Sequence, residues 1–211
     1  MWVPTLYALA DIAKEGSQKS SAQAFMYLQR LLLERGTELS LPWEQLPYAA
    51  WKECLEQVLF PLLQAQPASE SPAGGAAGGP SVEVAAARRA SAAQLICRVV
   101  LTHLPDWLNS SPDSFPVLFL RLLHILVSEA SAPGPSREPL CESLKNLLLV
   151  ISADPVFQEL PSPRQSETLL EATWAIVAPS LPELRREVAL ILDPSAAEHM
   201  DAAPMVPEVA G

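Results

Sequence analysis

Cysteine is scarce in this 211-residue sequence: three occur, Cys54, Cys97 and Cys141, with no paired spacing. An odd count, in a chain long enough to build a core without staples, excludes a disulfide framework and points to reduced thiols in a cytosolic compartment. Basic charge is also short, with 14 Lys and Arg against 24 Asp and Glu and a formal net charge of -10. Such a field repels phosphate backbones and anionic head groups, which speaks against nucleic acid as a partner. The two adjacent basic pairs, Arg88-Arg89 and Arg185-Arg186, read as solvated helix faces rather than a lipid-binding patch. No basic n-region opens the chain. The longest greasy run, Pro116 to Val127, is broken by Arg121 and His124 and falls short of the roughly 18 residues that a membrane span needs.

Catalytic constellations are lacking too. His103, His124 and His199 fall in separate segments, none with a second ligand at metal spacing; the first two read as helix residues that find a backbone acceptor. The Gly74-Gly75 and Gly78-Gly79 pairs are not followed by Lys-Ser or Lys-Thr, so they form no phosphate cradle. No Gly-x-Ser-x-Gly elbow occurs. Glu53, Glu56, Glu167 and Glu171 read as exposed helix-face charges. These absences leave no cofactor, no small-molecule substrate and no nucleophile to propose.

What is present is helical periodicity almost throughout, without the alternating runs of a sheet. Helices are expected from Pro4 to Glu15-Gly16; from a Ser20 or Ser21 cap to Gly36, with Ala24, Phe25, Leu28 and Leu32 inward; and from Pro47 onward, with Trp51, Leu55, Val58 and Leu62 on one face and a kink at Pro61. Pro42 also suits a helix start. A helix from Val82 to Leu104 should close at Pro105. Phe115, Leu118, Phe119, Leu122 and Leu126 mark a helix apolar nearly all round, expected at the centre of the array. Leu140, Leu144, Leu148 and Ile151 mark another, ending at Asp154-Pro155. The last two run from Ser166 to Ala178, with Leu170, Trp174 and Val177 inward, and from Pro182 to Leu192, with Leu184, Val188 and Ile191 inward. Trp2, Trp43 and Trp107 lie near expected helix ends, as exposed anchors. The domain reading is a helical-repeat unit over 1–193 with a Gly/Pro/Ala loop at 66–81, followed by a disordered Pro/Ala tail over 194–211. The fold class is all-α: antiparallel helical hairpins stacked as an armadillo- or HEAT-like α-solenoid, with a compact bundle as the alternative.

Two stretches are more specific: Trp51-Lys-Glu-Cys-Leu-Glu-Gln-Val-Leu-Phe-Pro-Leu-Leu63, and Glu142-Ser-Leu-Lys-Asn-Leu-Leu-Leu-Val150. Their marker residues are Trp51, Cys54, Val58, Phe60 and Pro61 in the first, and Ser143, Leu144, Lys145 and Asn146 in the second. Trp2-Val-Pro4, Tyr27-Leu-Gln-Arg-Leu-Leu-Leu33, Thr173-Trp174 and Leu192-Asp-Pro194 follow in family order. Together they resemble the Golgi-specific brefeldin A-resistance group of large Arf guanine-nucleotide exchange factors, in the helical region downstream of the catalytic domain. The resemblance implies a cytosolic protein, peripheral at Golgi and ER–Golgi intermediate membranes, in coatomer-dependent transport. Its partners would be proteins: the Arf exchange machinery and Golgi tethering or coat components. Nothing in the chain resembles the catalytic domain, so the exchange activity does not carry over. The expected role is regulatory docking; a purely structural scaffold is the alternative, and an exposed apolar patch would favour docking.

Overall fold

The computed structural model describes residues 3–34, 46–64, 82–163 and 167–193. The expected 66–81 loop and 194–211 tail, and the readings on Trp2, Gly36, Pro42, Trp43, Ser166 and His199, lie outside the described residues. Within them the chain is all-α, apart from an isolated bridge between Pro161 and Thr168.

Helices α1 (Val3–Glu15) and α2 (Gln18–Leu33) form an antiparallel hairpin across a tight corner. Gly16 is required there, because a Cβ would stand 2.5 Å from the Ile12 carbonyl oxygen. The cap of α2 is Ser17, whose side chain accepts from Ser20 N at 3.2 Å, rather than Ser20 or Ser21. Ser21 is instead buried and donates to Ala13 O at 2.6 Å, joining the two helices.

Next come α3 (Tyr48–Glu53), a π-helical segment (Cys54–Leu59) and α4 (Phe60–Leu63), which run on without a break. In a regular α-helix the ring of Pro61 would meet the carbonyl four residues back, at Gln57. The wider turn, with Phe60 N donating to Leu55 O, takes up that misfit immediately before the proline. The expected kink is thus a π bulge.

Helix α5 (Val82–Ser110) runs through Pro105 instead of ending there. The lost backbone bond, costing about 3 kcal/mol, is offset by burial of Leu104, Trp107 and Leu108 on either side of the proline. Trp107 is therefore a core residue, 2% exposed, and not a surface anchor.

Helices α6 (Phe115–Ser131) and α7 (Arg137–Ala153) follow the expected stripes. Asp154 ends α7 and starts α8 (Pro155–Glu159), its carboxylate accepting from Val156 N at 2.8 Å and Phe157 N at 3.2 Å. Helix α9 (Leu169–Val177) opens on a capping box formed by Thr168 and Glu171, and α10 (Pro182–Leu192) follows.

Two inward faces differ from expectation. In α9 the buried residues are Leu169, Ala172, Thr173 and Val177, which leaves Leu170 and Trp174 half-buried at the edge of the core. In α10 Leu184 and Val188 are buried, but Ile191 is 56% exposed.

α5 lies on α2, α4 and α7, and α6 packs on α4, α7 and α9, so one contiguous apolar cluster extends from Leu6 to Val188. A ladder of rings crosses it: Trp51 to Trp107 at 5.2 Å, Trp107 to Phe115 at 5.9 Å, Phe115 to Phe119 at 5.6 Å and Phe119 to Phe157 at 5.2 Å. Offset and edge contacts of this kind add about 0.5–1.5 kcal/mol per pair beyond burial.

Candidate docking surface

The first family-like stretch is spent almost entirely on packing. Trp51, Cys54, Val58 and Phe60 are buried, and Pro61 is half-exposed at the start of α4. On the outer side of the same helix Glu56 accepts from Arg121 of α6 at 2.7 Å, and that guanidinium lies 5.8 Å from the Phe60 ring centroid. In the second stretch Leu144 is buried, Ser143 back-bonds to Pro139 O at 2.8 Å, and Asn146 faces solvent. Lys145 donates to Glu142 at 2.5 Å and to Glu187 of α10 at 3.3 Å, and its ammonium is raised in pKa chiefly by the Glu142 bond. The marker residues therefore lie in two separate regions, α3–α4 and α7, and assemble no common site.

Helix α5 closes the C-terminal ends of both members of the first hairpin. Arg88 donates to Lys14 O at 2.5 Å and to Gly16 O, at the end of α1. His103, buried, lies 3.0 Å from Leu32 O at the end of α2, so the Nε2–H tautomer donates to it. Fifteen residues on a helix span about 22 Å, close to the length of α2. Carbonyls at helix ends lack partners within their own helix, and a cation there also meets the negative end of the dipole. Arg88 and Arg89 are thus not a solvated face: Arg89 lies 4.0 Å from Glu129 and is itself half-buried.

The two buried thiols, Cys54 and Cys97, offer no nucleophile at neutral pH. Burial pushes Cys54 and Cys97 up to about 12, with Glu53 adding to the effect at Cys54. Cys141 is also raised, first by burial; Arg137 opposes the shift, while Glu187, Glu142 and Glu183 add to it. Among the described residues no group of His, Cys, Asp and Glu is placed to hold a metal, and no helix is long and apolar enough to cross a membrane.

An open groove of about 770 Å³ lies between α6 and α9. Its α6 wall runs along Val117, Leu120, His124 and Val127, of which Val117 and His124 face solvent and Val127 is buried; its α9 wall carries Ala175 and Ile176. Glu167 is the one carboxylate among the described lining residues. Helix α6 is consequently not covered all round: Val117 is 58% exposed, and His124 is solvent-facing rather than bonded inside the helix array. A second cleft, between α7 and α10, is bordered by Glu138, Glu142, Glu183 and Glu187 around Cys141 and Leu184.

The model of the family described as "GBF1-like, tetratrico peptide repeat region" matches residues 2–184. The Caenorhabditis elegans Golgi-specific brefeldin A-resistance guanine nucleotide exchange factor 1 homolog is 29% identical over 165 residues, 76% of this chain and 8% of that relative. The chain thus spans about a twelfth of the relative's length. No solved structure matches the chain. With its helical hairpins and both family-like stretches in the matched span, this chain belongs to the GBF1-like tetratricopeptide-repeat-region family.

Proposed function

We propose that this chain is a non-catalytic regulatory and docking segment of a large Arf guanine-nucleotide exchange factor acting in ER–Golgi, coatomer-dependent transport. The observation that favours docking over pure scaffold is the groove between α6 and α9, where Val117, Leu120, Ala175 and Ile176 stand beside serine hydroxyls on a concave surface left open in the helical array. The relative's name supports the exchange-factor context and the Golgi setting. The chain's own contribution is recognition: it offers a helical surface and neutral, buried thiols rather than a reactive centre. Its partners are proteins of the Arf exchange machinery and of Golgi tethers or coats. Membrane association is peripheral and comes through the parent protein.

The test is release of a fluorescent nucleotide from Arf, with the purified chain alone and beside a fragment carrying the catalytic domain. The chain alone is expected to leave release unchanged, and the mixture to show an altered rate or altered recruitment to membranes. Acceleration by the chain alone would overturn the non-catalytic reading. No effect in either setting would remove the regulatory one.

A further inference from the structure

We infer that Ser91 is an acceptor site for an arginine-directed protein kinase, and that its phosphorylation draws Arg88 away from the carbonyls that end α1.

The chain at this point reads Arg88-Arg89-Ala90-Ser91, with guanidinium groups three and two residues before the hydroxyl. Kinases of this class select a serine by pairing their own carboxylates with basic side chains at those two positions, on a substrate drawn out in extended form. Among the described residues no other serine or threonine follows two basic residues within three positions. Ser91 is exposed and borders a groove of about 250 Å³ between α2 and α5, where Arg98 is the one charged residue among the described lining residues. No carboxylate there repels an incoming phosphate.

A helix cannot enter an extended site, so the first turns of α5 must open, and their packing permits it. Before Leu95 the side chains that α5 buries, among the described residues, are alanines: Ala85, Ala86, Ala92 and Ala93. Ala85 and Ala86 lie outside the contiguous apolar cluster, which takes in α5 from Ala92 onward. Side chains that small bury little area. Much of the hold therefore falls to the arginines, with Arg88 on Lys14 O and Gly16 O, and Arg89 4.0 Å from Glu129. Segments fastened in this way open locally at a fraction of the global cost. Opening frees both guanidinium groups just when the kinase must read them, while Leu95, Ile96, Val99 and Val100 keep the rest of α5 in the core.

In the transfer, Ser91 Oγ bonds to the γ-phosphorus of a nucleoside triphosphate and the bond from that phosphorus to the β,γ-bridging oxygen breaks. The hydroxyl proton passes to a carboxylate of the kinase, and the nucleoside diphosphate departs. The new group brings a charge of about −1.5 to −2. Once the helix re-forms, it stands one turn beyond Arg88 and two turns before Arg98. A guanidinium bonds a phosphate more strongly than it bonds neutral carbonyls, so Arg88 leaves Lys14 O and Gly16 O for it. The corner between α1 and α2 then loses its tie to α5.

The test incubates the full chain with the catalytic subunit of cAMP-dependent protein kinase and MgATP, and reads incorporation by intact mass and fragment sequencing. One phosphate is expected, on Ser91, and none at that position in Ser91→Ala, whose exposed site leaves the helices intact by circular dichroism. Arg89→Gln should slow incorporation at least about tenfold, as loss of a charge pair with the kinase requires. If Arg89 served only to fasten α5, the same change would loosen the helix and speed the reaction. Hydrogen exchange in the unmodified chain should be faster over 82–94 than over 95–108. In the phosphorylated chain, exchange at 14–17 should rise about fivefold or more, with α7 unchanged. No incorporation, incorporation confined to the urea-unfolded chain, faster reaction of Arg89→Gln, or exchange over 82–94 as slow as over 95–108 would overturn the site. Phosphate on Ser91 with unaltered exchange at 14–17 would overturn the transfer of Arg88.

Discussion

Cys54 and Cys97 illustrate how burial sets chemistry at single positions. A thiol near 9.0 in the unfolded chain is held up to about 12 in the folded one. Because the folded form keeps its proton longer, this contribution to stability is fully present below pH 9 and is lost as pH rises from about 9 toward 12. Tyr48, also raised to about 12 by burial and by Glu56, acts in the same direction from pH 10 upward. The melting temperature is therefore expected to fall steadily above pH 9. At pH 8 a thiol reagent should label Cys141 in the native chain and all three cysteines in urea; rapid native labelling of Cys54 or Cys97 would contradict their burial. From the sequence, only reduced and unpaired thiols were legible at these positions. What it could not supply was the phase of short helices. With few turns to define a face, α9 and α10 were each read with an exposed or half-exposed residue, Trp174 and Ile191, pointing inward.

At the scale of elements, long periodic helices were the readable part: the α6 and α7 stripes and the stop at Asp154 follow from spacing and capping chemistry. Pro105 was misread because one lost backbone bond was weighed without the packing of Trp107 and Leu108, and ending the helix early made Trp107 look exposed. The α9 capping box, Thr168 to Glu171, was visible in the sequence as a Thr-x-x-Glu signature and went unused. Contacts of Arg88 and His103 with carbonyls more than 70 residues away could not be read from sequence at all. They yield a prediction. Arg88→Gln should cost about 1–3 kcal/mol in urea unfolding, as expected for bonds made by a charged donor. It should also speed amide exchange in α1 and at the corner around Gly16 before any change in α7. Arg88→Lys, which keeps the charge but not the two-pronged geometry, should fall between. Equal loosening of all helices would mean that Arg88 does not act locally.

For the whole molecule, the all-α repeat class and the family were legible, and the open groove was not. An apolar helix looks in sequence as if it must be covered all round, and only the tertiary arrangement reveals that α9 stands off from part of α6. The family-like stretches were read as the distinctive part of the chain, and they are, but as packing: Trp51, Val58 and Leu144 hold the array together and touch no common surface.

One consequence of α5 closing both ends of the first hairpin concerns the chain between residues 64 and 82. Since α4 also packs on α5, the ends of α4 and α5 that this connection joins are held together by contacts between the helices themselves. Doubling a flexible connection costs only about 0.6 kcal/mol. A folded reporter spliced in at Gly75 should therefore leave the melting temperature almost unchanged, as differential scanning calorimetry would show.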